Sequence, residues 1–141
     1  MNQKPSAQAQ AVDPYRGFFR CFNEEKFFEA HEVLEVLWLQ ERHGPRDEFY
    51  KGLIQYAGAF VHLQKHLEDR ERFGHRLIPA AALFRLARVN LRKYPARFEK
   101  LNVEEVIVQI DRWLKHLEGD PEVNPLSQIK PSHLSPDFDG S

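Results

Sequence analysis

From about residue 14 to residue 119 the apolar side chains recur three and four positions apart and nowhere alternate over the length of a strand, which confines the chain to helices. Its breakers then decide where each helix stops. Asp13 before Pro14 pairs an N-cap with a first-turn proline and opens a short helix that runs to about Phe22 and ends near Asn23. A second helix is expected from about Lys26 to Arg42. It stops at His43-Gly44-Pro45, where glycine suits a left-handed cap and proline bars continuation. A third is expected over about residues 46–69 and a fourth from about Gly74 to Tyr94, ahead of Pro95, with Pro79 tolerated near its start. Asn102, followed by Glu105, reads as a capping box for a fifth helix to about Glu118, with Gly119 behind it.

Prolines at positions 121, 125, 131 and 136 forbid a helix beyond Gly119. The expected fold is therefore all-α: one domain of about five helices over residues 13–119, preceded by a disordered leader (1–12) and followed by an extended or disordered tail (120–141). The short turn at Gly44-Pro45 makes the second and third helices a central antiparallel hairpin.

A chain of 141 residues can bury a core without disulfides or a structural metal. The lone Cys21 excludes an internal disulfide and a CxxC site, and it suits a reducing cytoplasm. The leader has no apolar core, so no export is expected. The most apolar run, LIQYAGAFVHL at 53–63, falls far short of the ~20 residues a membrane span needs, so no membrane partner is expected. With 20 Lys and Arg against 21 Asp and Glu, the net charge of -1 gives no general attraction to nucleic acid. A homo-oligomer stays open.

The stretch FFEAHEVLEVLW, residues 27–38, places a histidine in a helical apolar stripe. At 100° per residue, Leu34, Trp38 and His31 fall within about 40° of Phe27, and Glu35 lies near 80° at the edge of the stripe. The third helix carries a core face of Phe49, Leu53, Tyr56, Phe60, Leu63 and Leu67, and beside it a line of Gly52, Gln55, Ala59, His62 and His66. That line has the spacing of a packing seam, with small residues for close approach and polar heads for hydrogen bonds. Counted from the loop, Glu35 comes level with Gln55. His31 sits about four residues from His62 along the axis.

His31, Glu35, Gln55 and His62 are thus expected to converge on a polar pocket walled by Trp38. Two readings are open. In one, His31 bonds Glu35 or Gln55 in a structural network that fixes helix register. In the other, His31, Glu35 and His62 form a two-histidine, one-carboxylate set for a divalent metal such as zinc or iron, or a small-ligand site with hydrolytic potential. HEVLE is an HExxE motif and lacks the second histidine of the HExxH peptidase helix. Nor does a Glu-x-x-His pair precede His31 or His62 as a di-iron bundle requires.

The runs FNEEKFFEAHEVLEVLW and FYKGLIQYAGAFVHL, with a later G-x-x-x-x-x-A-x-x-L-F, resemble the bacterial and archaeal domain-of-unknown-function family number 309 over about residues 15–115. The resemblance implies a small all-helical domain with its signature on His31, Glu32, Glu35, Trp38, Gly52, Gln55 and His62, and it implies no reaction. Two positions depart from that pattern: Glu25 stands where a turn glycine is common, and Lys51 where Gln is usual.

Residues 70–100 hold nine Lys or Arg against Glu71 and Glu99. Arg85, Arg88 and Arg92 share one face of the fourth helix, opposite Phe84, Ala87 and Leu91. They read either as a solvated face answering acidic neighbours or as a ridge for nucleic acid or another anionic partner. Three functions therefore stand: a non-enzymatic helical interaction module, a metal or small-ligand site, and a basic-ridge binder.

Overall fold

A computed structural model describes residues 13–73 and 75–139; the leader expected over residues 1–12 lies outside the described residues. The helices are α1 (Pro14–Asn23), α2 (Phe27–Gln40), α3 (Asp47–Glu68), α4 (Arg70–Phe73), α5 (Leu77–Leu91) and α6 (Val103–Gly119). The two-residue strands β1 (Arg97–Phe98) and β2 (Leu101–Asn102) join α5 to α6. Among the described residues the fold is all-helical apart from this hairpin.

The caps form where the sequence places them. Asp13 Oδ1 accepts from the Tyr15 amide at 2.9 Å, and Asn102 Oδ1 from the Glu105 amide at 3.0 Å. Glu105 does not complete a capping box: its carboxylate accepts from Gln109 Nε2 at 2.7 Å instead. The turn between α1 and α2 is a Schellman motif, with Lys26 N bonding Cys21 O and Glu25 N bonding Phe22 O, both at 2.9 Å. Its left-handed residue is Glu25, at φ 62°. After α2 the left-handed residue is His43, at φ 69°, one place before the expected Gly44.

The short α4 was not expected. It forms because the Asp69 carboxylate accepts from the Arg72 amide at 3.0 Å and restarts a helical turn where α3 ends. The fourth expected helix accordingly begins later, at Leu77, with Pro79 in its first turn. The β-hairpin was also unexpected, since its turn residues are Glu99 and Lys100, both with positive φ (49° and 65°), in place of the Asn-Gly that announces such turns. It is held from outside: Tyr15 Oη donates to Glu99 O at 2.7 Å, and Asp137 N to Lys100 O at 2.8 Å.

The core gathers on α3. Phe49, Leu53, Tyr56, Phe60 and Leu63 are fully buried, whereas Leu67, expected on the same face, is 48 % exposed at the helix end. Tyr56 stacks on Phe22 at 5.3 Å, and Phe60 meets Trp113 of α6 edge-on at 4.9 Å. The helix packs against α2 as the expected hairpin, but its most extensive neighbour is α5. No helix among the described residues is long and apolar enough to cross a membrane.

The segment after α6 runs over the helices with a single 3-10 turn, Pro125–Ser127. Asn124 and Leu134 are buried in it, at 5 % and 4 % exposure.

Candidate functional site

The small-residue seam of α3 faces α5. A Cβ on Gly52 would stand 2.9 Å from Leu91 Cγ, and one on Gly58 3.2 Å from Leu83 Cδ1, so the two glycines set how closely the helices approach. Along the same line Gln55 Oε1 accepts from Asn90 Nδ2 at 2.8 Å, His62 Nδ1 lies 3.3 Å from Arg76 Nη1, and His66 Nδ1 lies 3.2 Å from Asn124 Nδ2. The seam has the expected chemistry, but its polar heads bond to α5, to the residue before α5 and to the C-terminal segment.

The expected bond from His31 to Glu35 or Gln55 is not formed. His31 Nδ1 is buried with no partner among the described residues. Helical phase explains the difference. The buried residues of α2 are Phe27, Ala30 and Leu34, whose mean direction lies about 25° to the far side of Phe27, so His31 at about +40° stands on the shoulder of the stripe. Ala30 carries little apolar surface, yet it packs inward and turns the buried stripe away from His31.

His31 is therefore half-buried, its ring 6.0 Å from that of Phe28. Trp38, expected to be buried, is half-buried too, and Trp113 is the indole inside the core, at 1 % exposure. Trp38 Nε1 donates to Asp47 Oδ1 at 2.6 Å, the Arg42 guanidinium lies over its ring at 4.8 Å, and Asp47 Oδ2 accepts from the His43 amide at 2.7 Å. The His43 amide, followed by the Trp38 indole, holds the Asp47 carboxyl below the usual range. Trp38 thus clasps the α2–α3 turn.

Three of the five expected site residues come together. His31, Gln55 and His62 line an open groove of about 380 Å³ with Phe28, Ile54, Gly58, Val61, Lys65 and Leu83. Its floor is the outward face of α3, and Phe28 and Leu83 stand in its walls. Glu35 and Trp38 are not among its lining residues, and no carboxylate is. Among the described residues no three His, Cys, Asp or Glu side chains are grouped to hold a metal ion, so the set His31, Glu35 and His62 is not assembled in this arrangement.

Arginine can only donate, so His62 Nδ1 accepts from Arg76 and the ring proton sits on Nε2. Burial, then the Arg76 and Lys65 charges, keeps this imidazole below its ordinary pKa and neutral at pH 7. Gln55 gives its oxygen to Asn90, leaving its amide N–H group without a partner among the described residues. The groove's polar members thus offer donors beside an apolar surface.

The basic ridge is tied down in part. Arg85 pairs with Glu118 at 2.9 Å and Arg88 with Asp111 at 2.7 Å, both on α6, while Arg92 is exposed. Asn90, Asp47, Arg76 and Asn124 went unread in the sequence. Asn90 had a signal: it falls on the buried side of α5, where an unexplained polar residue implies a polar partner across the interface.

These features describe a small helical domain that presents a shallow apolar groove on one long helix. The family described as "Domain of unknown function (DUF309)" matches residues 15–70 of the chain. The matched span holds α1 to α3 and all five expected site residues, whereas the α5 wall of the groove lies outside it. No curated protein and no solved structure matches the chain.

Proposed function

We propose that this domain is a non-enzymatic interaction module that seats an amphipathic helix of a partner protein in the groove between α2 and α5. The observation that carries the reading is the open apolar groove itself. From Ile54 to Lys65 its floor runs roughly 16 Å, about three helical turns, and Phe28 in its wall is 50 % exposed. Gly58 lowers the floor at mid-length. The lining carries the His62 Nε2–H, the Gln55 amide and the Lys65 ammonium but no carboxylate, which favours a helix with acidic side chains flanking its apolar stripe.

A second copy of this chain fits less well. Lys51 and Lys65 lie seven residues either side of Gly58 on the same face of α3, so an antiparallel α3–α3 crossing would set lysine against lysine. The pairing of Arg85 and Arg88 with α6 weighs against the ridge as the contact surface.

The test is an amide chemical-shift titration with three amphipathic helical peptides that share one apolar stripe and differ in acidic, neutral or basic flanks. Saturable shifts at Gly58, Val61 and Leu83, strongest for the acidic peptide and lost in Val61→Glu, are expected. Silence at those amides with all three peptides would overturn the reading, as would a concentration-dependent doubling of mass that occupies the same face.

A further inference from the structure

The C-terminal segment over residues 120–139 is fastened to the rest of the fold at several places, and two of the main ones contain no group that titrates near neutrality. Asn23 exchanges two 2.8 Å bonds with the backbone of Leu134, and the Phe138 ring lies 5.7 Å from that of Tyr15, with the Arg16 guanidinium 4.2 Å above it. A further fastening is Asn124. Its Nδ2 donates to Leu63 O at 2.9 Å and its Oδ1 accepts from the Leu126 amide at 2.9 Å. Those two bonds fix the amide, so the group it turns to His66 Nδ1, 3.2 Å away, is an N–H donor.

His66 Nδ1 must then be a bare nitrogen. A proton there would press one N–H against another, and the new charge would lie close to Arg70 of α4 and His75, whose ring is 5.7 Å off. The Nε2 side gives no relief, since that nitrogen is buried without a partner among the described residues.

We propose that His66 is a proton-operated latch on the C-terminal segment: neutral, it holds Asn124 and the 3-10 turn against α3; protonated, it releases them while Leu134 and Phe138 stay seated. Burial, followed by Arg70 and His75, holds the imidazole below its ordinary value, so the latch stays shut at neutral pH and opens on mild acidification. Opening withdraws Leu126 and Ile129 from the crevice of about 280 Å³ that they line together with Leu67.

The test tracks the His66 ring and the amide protection factors of Leu126, Ser127 and Ile129 by NMR between pH 7.5 and pH 5. As pH falls from about 6.5 toward the lower His66 midpoint those three are expected to lose up to about tenfold in protection per pH unit relative to Phe60 in the core. In His66→Gln, which keeps an acceptor but cannot titrate, they should not. Asn124→Asp supplies a second arm, because a carboxylate welcomes the imidazolium and should reverse the trend. Protection that persists through a completed His66 titration would overturn the latch, as would an unchanged loss in His66→Gln or a His66 ring that never titrates above pH 5.

Discussion

Glu25 sits at φ 62°, a backbone region where a Cβ crowds the neighbouring carbonyl at a cost of roughly 1–2 kcal/mol. Its side chain is exposed, and the bond that the turn uses is its carbonyl, which accepts from Gln64 Nε2 at 3.0 Å. Glu25→Gly should therefore stabilise the fold by about 0.5–1 kcal/mol once the extra freedom of glycine in the unfolded chain is set against the relief. Thermal unfolding should show a rise of a few degrees, and a fall would mean that the Glu25 side chain holds something. The resemblance implied a glycine at position 25, but a sequence does not show which backbone region a residue occupies. The same limit hid His43, where the left-handed position fell one residue ahead of the glycine that invites it. At His31 the limit was arithmetic: an average direction taken over large apolar residues omitted Ala30 and rotated the stripe toward the histidine.

At the scale of elements, α3 was legible as the carrier of the core and of a second, polar seam, yet not as to what the seam faces. Loop length tied α3 to α2, while Gly52 of the seam and the neighbouring Gly58 meet α5, which is distant in sequence. Period alone names a face and leaves its neighbour open. The two glycines make opposite predictions. At Gly52 an added methyl lies 2.9 Å from Leu91 Cγ and 3.3 Å from Asn90 Cβ, and Leu91 is fully buried, so Gly52→Ala should overpack the seam. The expected cost is about 1–2 kcal/mol after the gain in helix propensity. At Gly58 the methyl meets only the tip of the half-buried Leu83 at 3.2 Å, so propensity wins and Gly58→Ala should stabilise by up to about 1 kcal/mol. The same methyl raises the groove floor, so peptide affinity should fall while stability rises. Denaturant midpoints for the pair decide it: equal shifts of one sign would show that α3 and α5 are not held at this spacing. The Arg85 and Arg88 pairs join α5 to α6 at half-exposed sites, where such pairs contribute under about 1 kcal/mol each, and α6 stays in place through Ile110 and Trp113.

For the whole molecule, pH acts from both sides on groups that the fold keeps uncharged. His62 and His66 are both depressed, first by burial and then by neighbouring cations, so the unfolded chain binds their protons more readily than the folded one. Their contribution to stability is complete above the unfolded value of about 6.5 and is lost as pH falls through their lower folded values. On the alkaline side Tyr15, Tyr50 and Tyr56 are raised, burial being the largest cause for each, Tyr50 to about 12. Their contribution is complete below an unfolded value of about 10 and is lost as pH rises through the folded values, with the raised, half-buried Cys21 thiol adding a smaller loss somewhat earlier. A melting-temperature profile should hold a plateau between about pH 7 and 8.5 and fall on both flanks. Tyr56 separates the alkaline contributors. It is fully buried and its hydroxyl has no partner among the described residues, so Tyr56→Phe keeps the ring packing against Phe22 and Phe60 and removes an unsatisfied donor. The variant should gain about 1 kcal/mol at pH 7, lose part of the alkaline decline and keep the acid limb unchanged. A loss of stability at pH 7 would show that the Tyr56 hydroxyl is satisfied, by an ordered water or by Glu105, the acidic group that acts on it in the fold.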